Sequence, residues 1–476
     1  MHELISPVNP RTILSFLGRF LMAAAFVLAV PGGFAVFSGE YHIAAIYAGI
    51  SGAVLLLGWL VDRSIDAPEL EKKDALVISG IIFPLLAFLN AIPLSISGGV
   101  PFLDAFFESV SGVTTTGLSL APEPVGPVFL FVRSWSQWIG GVGIVLVVLI
   151  LLLQPGTSAF RLFSVTGGQR GIRSNVVNTA YLLGAAYIVL TIISMIILLL
   201  AGMTPFDAVC HAFASVSTGG FSTHPDSIGG YAGTVVPLAI VACFMMGVFN
   251  FALFINLPRD PSAFFRDSSV RAFAVIVLAG VGLLIITLWG TGSTSEVLSN
   301  AGFHAFSALS TTGFDIADVD TLPDGAKWVI TVLMWIGGSV GSTAGGIKLI
   351  RIIILLKLVQ MVFTRIFLPR EAITPLKAGD EVVDVEDLHM IVTFVLLYIG
   401  IIIVTAGIFM AHGFGGVDAI FEVSSALGTV GLSTGITAAT LPVQLKGILI
   451  INMLFGRLEI IPLSLLFMPR TWVRGR

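Results

Sequence analysis

The stretch Ser111-Gly-Val-Thr-Thr-Thr-Gly-Leu-Ser119 is small, rich in hydroxyls, and written four times. Aligned on its glycine, the first copy reads Val113-Thr114-Thr115-Thr116-Gly117 and the second Val216-Ser217-Thr218-Gly219-Gly220. The third reads Leu309-Ser310-Thr311-Thr312-Gly313 and the fourth Leu427-Gly428-Thr429-Val430-Gly431. A threonine stands two before the glycine every time. The likeness continues upstream, with Asp104, Asp207, Asn300 and Asp418 thirteen before the glycine and Glu108, His211, His304 and Glu422 nine before it. A repeat at this spacing fixes the fold class before any other reading does. Four short helices, each ending at a glycine turn and each set between apolar segments, predict four loops around one axis. Backbone carbonyls aimed inward from such loops replace the hydration shell of a cation, and glycine permits the conformations that put successive carbonyls on one side.

The surroundings agree. Only 11% of the 476 residues are charged and 56% are hydrophobic, against roughly 25% charged in soluble domains, so the chain is an integral membrane protein in contact with lipid. A net charge of −4 without a basic tract gives no case for nucleic acid. Cys210 and Cys243 fall in apolar context and read as free thiols. Apolar runs of about 20 residues mark spans. Two come first, at 13–37 and 43–61, without a loop of the repeated kind between them. The four units then use 75–97, 101–120 and 129–154; 177–202, 204–223 and 233–256; 270–290, 296–315 and 327–360; and 387–411, 416–435 and 443–468. The expected fold is therefore an all-α integral membrane protein. It has four pseudo-symmetric helix–pore loop–helix repeats around one pore, plus two N-terminal transmembrane helices, with ten spanning helices in all. The divisions are 1–74 for the N-terminal pair, then repeats at 75–176, 177–269, 270–386 and 387–476.

Of the 24 basic residues, all but Arg133, Lys327, Lys446 and Arg457 fall on one side of this topology. The positive-inside rule makes that side the cytoplasm, with both termini in it and all four loops outside.

The backbone at Thr115 and Thr116, Thr218 and Gly219, Thr311 and Thr312, and Thr429 and Val430 is the expected ion-binding lining, flanked by Thr114, Gly117, Ser217, Gly220, Ser310, Gly313, Gly428 and Gly431. The side chain before the glycine ranges from Gly to Val, which fits carbonyl coordination better than hydroxyl coordination. A single glycine per repeat implies a short filter. Asp104, Asp207, Asn300 and Asp418 read as N-caps of the short helices rather than ion contacts. Glu108 and Glu422 either brace the filter or add negative potential. Arg457, inside the last helix, is costly at membrane depth; it is a positive charge below the filter, a buried partner of Glu459 or another carboxylate, or both. Gly337-Gly-Ser-Val-Gly341-Ser-Thr-Ala-Gly345-Gly346-Ile-Lys348 is poor helix inside a stretch too long for one span. Irregular backbone is tolerated there where it lines a cavity, so it reads as an intramembrane gate, with a packing kink as the alternative. Two Gly-x-Ser-x-Gly matches, at Gly337 and Gly431, follow no predicted strand and read as chance. No enzyme is expected.

The four filter segments, Gln137-Trp-Ile-Gly-Gly-Val-Gly143, Gly341-Ser-Thr-Ala-Gly-Gly-Ile-Lys348 and Gly456-Arg-Leu-Glu459 together resemble the Trk/Ktr/HKT potassium transporter superfamily over essentially the whole chain. The extra N-terminal helices are similar to the TrkH branch. The resemblance implies a homodimer with one pore per subunit, K⁺ in the filter as the bound species with no covalent cofactor, and a location in the bacterial inner membrane. It further implies gating by Gly341, Gly345, Gly346, Lys348 and Arg457 under a cytosolic TrkA-like nucleotide-binding ring. Glycine at all four filter positions goes with potassium in this superfamily. The alternative function is a proton- or sodium-coupled secondary transporter, whose relay would have to come from Glu108, His211, His304 and Glu422. A non-conducting scaffold would leave the fourfold loop unexplained.

Overall fold

A computed structural model describes residues 7–65, 70–121, 125–152, 176–369, 375–378, 381–458 and 460–472. Helices α1 (Pro10–Phe37) and α2 (Tyr41–Ser64) form an antiparallel hairpin. Gly18 and Gly58 let the two backbones touch: a methyl on Gly58 would lie 2.7 Å from the Gly18 carbonyl oxygen. Pro31 sits inside α1 without ending it. The hairpin leans on the first repeat, where Phe34 stacks on Phe131 at 4.3 Å and Trp135 Nε1 donates to the Val27 carbonyl at 3.0 Å.

The first repeat is α3 (Lys72–Gly98), α4 (Phe102–Val113) and α5 (Pro127–Leu152). The second is α6 (Val176–Leu200), α7 (Pro205–Val216), α8 (Val235–Val248) and α9 (Phe251–Asn256), with α10 (Pro261–Arg266) leading out. The third is α11 (Ser268–Thr287), α12 (Thr294–Leu309), α13 (Asp324–Ile336) and α14 (Leu349–Ile366). The fourth is α15 (Val385–Ala411), α16 (Gly416–Gly428), α17 (Val443–Leu458) and α18 (Ile460–Phe467), followed by α19 (Pro469–Trp472). A two-residue hairpin pairs Lys377–Ala378 with Glu381–Val382 before α15. Among the described residues the remaining regular structure is helical. Val8 N–H donates to the Thr471 carbonyl at 3.0 Å, which puts the first and last described segments on one face.

Three of the ten expected spans are each built from two helices, one of them, in repeat three, broken where an interruption is expected. Among the described residues seven helices are long and apolar enough to cross a membrane. The second helix of repeat two breaks at Phe249-Asn250, where the Asn250 side chain accepts from Ala252 N–H and starts a new helix. Repeat three breaks at Gly337, whose φ of 73° no helix contains. The two pieces in repeat four adjoin Glu459, which lies outside the described residues. Both cysteines are free and buried.

Candidate functional site

Each of the four short helices, α4, α7, α12 and α16, ends in the same turn. The threonine two before the glycine takes a left-handed backbone: φ is 53° at Thr115, 51° at Thr218, 55° at Thr311 and 50° at Thr429. A β-branched residue rarely adopts this conformation. The residue after it then donates N–H five positions back, Thr116 to Ser111, Gly219 to Ala214, Thr312 to Ser307 and Val430 to Ser425, at 2.7–3.0 Å. This six-to-one bond with a left-handed residue inside it is the Schellman helix stop. The expected filter is thus a set of four helix C-caps, each at the negative end of its helix dipole.

The four turns close into a ring. A methyl on Gly117 would overlap the Gly219 carbonyl oxygen; on Gly220, that of Thr312; on Gly313, that of Val430; and on Gly431, that of Thr116. Each glycine is needed because the neighbouring repeat's carbonyl occupies the space of its side chain. All eight expected lining residues are buried. Thr114, Ser217 and Ser310 cap the first three helices. The lining hydroxyls of Thr116 and Thr312 pair with Thr114 and Ser310 at 2.8 and 2.7 Å.

The residues nine before the glycine hold the chain that leaves the filter. Glu108 Oε1 accepts from Ser119 Oγ at 2.7 Å, from Ala121 N–H at 2.9 Å and from Leu120 N–H. Glu422 accepts from Ser433 Oγ at 2.8 Å, from Thr434 and Thr437 N–H at 3.1 Å each, and from both threonine hydroxyls. His211 Nε2 reaches Ser222 Oγ at 3.0 Å. The geometry is that of braces.

The aspartates are not N-caps. Asp104, Asp207 and Asp418 sit at the third position of helices capped by Pro101, Thr204 and Gly415, and Asn300 lies well inside α12, which begins earlier at a Ser293–Glu296 capping box. Two of the aspartates hold lysines instead: Lys446 Nζ is 2.6 Å from Asp104 and Lys327 Nζ 2.8 Å from Asp418. These lysines and Arg133, whose Nε is 3.5 Å from Glu108, account for three of the four basic residues that stood apart in the sequence. The Lys446 and Arg133 pairs are buried between helices and the Lys327 pair partly so, which removes the conflict with the charge rule.

The fourth is Arg457, 4% exposed. It donates to the Thr343 carbonyl at 2.6 Å and to the Gly140 carbonyl at 3.2 Å. The Glu459 partnership lies outside the described residues. The 337–348 segment is non-helical and pressed against the filter's inner end. Gly345 N–H donates to Thr311 Oγ1 at 2.6 Å, and a methyl on Gly345 would strike the Gly428 carbonyl. Gly341, Gly346 and Lys348 have φ of 76°, 71° and 82°, and Lys348 Nζ donates to the Ala344 carbonyl. Thr343 Oγ1 lies 2.9 Å from the Val216 and Gly247 carbonyls. The segment is a built loop touching three repeats, not a kink.

At the outer mouth, Asp315 has its carboxyl pushed up to about 7, first by burial and then by Asp318 and Asp226. Sequence reasoning missed Asp315. It stands where the other repeats carry Ser119, Ser222 and Ser433, and that departure was the available signal.

A ring of carbonyls backed by four helix C-termini, in a chain of membrane-spanning helices, fits a cation transport protein. Comparison with known proteins gives the same class. A family model described as TrkH, cation transport protein, matches residues 69–473. The Trk system potassium uptake protein TrkH of Halomonas elongata is 32% identical over 97% of this chain and 99% of its own. That of Escherichia coli K12 is 29% identical with the same coverage. The crystal structure of the potassium transporter TrkH from Vibrio parahaemolyticus superposes with a TM-score of 0.86 at 27% identity, covering 98% of this chain and all of that one. The chain belongs to the TrkH family of cation transport proteins.

Proposed function

We propose that this protein takes up potassium across the bacterial inner membrane through a gated, channel-like pore, with both termini cytoplasmic. The observation that carries the reading is the ring of Thr116, Gly219, Thr312 and Val430 carbonyls, because fixed carbonyls stand in for water around a desolvated cation. Thr115, Thr218, Thr311 and Thr429 set the turn that aims them, and Gly117, Gly220, Gly313 and Gly431 leave room for the neighbouring oxygen. The driving force is the membrane potential, about 2.3 kcal/mol per charge for each 100 mV. The loop bearing Gly341, Gly345, Gly346 and Lys348 is the gate, held shut or open through Arg457. The protein works as a homodimer regulated by a cytosolic nucleotide-binding ring. The similarity to potassium uptake proteins over nearly the full length supports this assignment.

The test is cation flux into liposomes containing the purified protein, with K⁺ and then Na⁺ gradients, each with and without a pH difference. K⁺ flux well above Na⁺ flux, and indifferent to the pH difference, is expected. Flux that requires a proton or Na⁺ gradient would replace this reading with coupled transport.

A further inference from the structure

One lining position differs from the rest. Repeats one and three carry Thr116 and Thr312 before the filter glycine, and their hydroxyls pair with Thr114 and Ser310. Repeat four carries Val430. Repeat two carries Gly219, with no side chain to pair or pack. The space is filled from outside the repeat: a methyl on Gly219 would overlap the side-chain amide of Gln137, from α5 of repeat one. That amide is fully buried. Its Nε2 donates to the Gly219 carbonyl at 2.5 Å, and its Oε1 accepts from Phe221 N–H at 3.2 Å. The two bonds bracket Gly220, and only one orientation of the amide satisfies both.

The register of the repeats shows that this residue is singular. Gly140, Gly247 and Gly456 occupy one place, each fitted against a carbonyl at the end of its own repeat's short helix, at Val113, Val216 and Leu427. In repeat three Gly337 follows Trp-Ile as Gly140 does. Three positions earlier stand Gln137, Phe244, Met334 and Met453. One polar side chain occurs at this position in four repeats, and it faces the one lining residue without a side chain. Arg133, one helical turn before Gln137, covers the Phe221 ring at 4.1 Å and closes the same joint.

We infer that Gln137 is a positioning residue for selectivity: it fixes the Gly219 carbonyl and the Gly220 turn, doing across the repeat boundary what the hydroxyl pairs do within repeats one and three. It also takes one lone pair of that carbonyl, so repeat two presents a differently polarised oxygen to the ion than its three neighbours. The inference rests on the carbonyl ring being the selective site.

The experiment is the K⁺/Na⁺ flux ratio in liposomes for wild type, Gln137→Met, Gln137→Ala and Gln137→Ala/Gly219→Thr. Methionine is what repeats three and four carry, and it keeps the volume while removing both hydrogen bonds. The expected result for Gln137→Met is a ratio about tenfold lower, equivalent to about 1.4 kcal/mol, with total cation flux largely kept. The double variant restores the side chain of repeats one and three in the space the amide vacates, and its ratio returns to near wild type. A monodisperse Gln137→Met protein with an unchanged ratio would overturn the inference, because packing alone would then suffice. A double variant no more selective than Gln137→Ala would overturn it too. Absence of K⁺ preference in wild type would instead sink the functional reading beneath it.

Discussion

Repeats one and four differ from repeats two and three in what stands behind the glycine turns. In the outer pair a carboxylate, Glu108 or Glu422, gathers three to five donors from the departing chain, and a first-turn aspartate holds a lysine from another repeat. In the inner pair the same positions carry His211 and His304. Asp207 is met by Thr204 and Thr223 hydroxyls at 2.8 and 2.5 Å, and Asn300 is uncharged. A carboxylate has about four acceptor sites and an imidazole two nitrogens. The turn itself is indifferent to this: φ at the threonine varies only from 50° to 55° across the four. One backbone geometry can therefore be held by ionic or by neutral supports, and the supports are free to diverge while the turn is not.

The difference can be broken from its strongest side. Glu422→Leu leaves buried N–H and O–H groups unsatisfied at about 1–3 kcal/mol each. Loss of K⁺ flux and a large fall in detergent melting temperature are expected, and a stable, conducting variant would refute the bracing role. Lys446→Met leaves Asp104 buried without its cation, a loss of about 3–5 kcal/mol read as melting temperature. The double variant Lys446→Met/Asp104→Asn should recover most of it. His211→Ala removes two hydrogen bonds and should cost about 1–3 kcal/mol, less than Glu422→Leu. Equal losses would erase the contrast between the pairs of repeats.

The smallest effect concerns Asp315, which replaces serine in repeat three. Its carboxyl, raised to about 7 with Asp318 and Asp226 nearby, gains a proton as external pH falls through that value, and the mouth loses a negative charge. K⁺ uptake at low external K⁺ should drop about twofold from pH 8 to pH 6, because negative charge lining a mouth concentrates cations there and one charge is a small part of that field. Asp315→Asn should flatten that profile. A carboxyl raised in this way destabilises the fold progressively as pH rises from its free value near 3.8 to about 7, and fully above that, so Asp315→Asn should raise the melting temperature at pH 8 more than at pH 6.

Much of this was legible because it repeats. Thr115, Thr218, Thr311 and Thr429 align without gaps, and the glycines two residues on locate the ring. The break at Phe249-Asn250 was hidden by hydropathy that runs on through it, although an asparagine before a short apolar helix is a start signal. The left-handed threonines were hidden because residue type argues against that conformation; tertiary closure of the ring imposes it. The aspartates looked like caps because a cap at those positions places every helix start too late, by three residues in repeats one, two and four and by seven in repeat three. The partners of Lys327 and Lys446 were beyond reach, since a pairing between repeats leaves no local pattern. The Gln137 amide lay in plain view as a polar residue in an apolar helix, and only the ring showed what it faces.

The Lys446–Asp104 contact joins residues 342 positions apart, and Gly431 meets Thr116 over a similar interval. At synthesis rates of about 5–20 residues per second, roughly 20–70 s pass between emergence of the first partner and the second. Through that interval the nascent chain carries Asp104 without its cation, and the carbonyl circle gains its members one repeat at a time. A chain truncated before repeat four loses the whole site rather than one part in four.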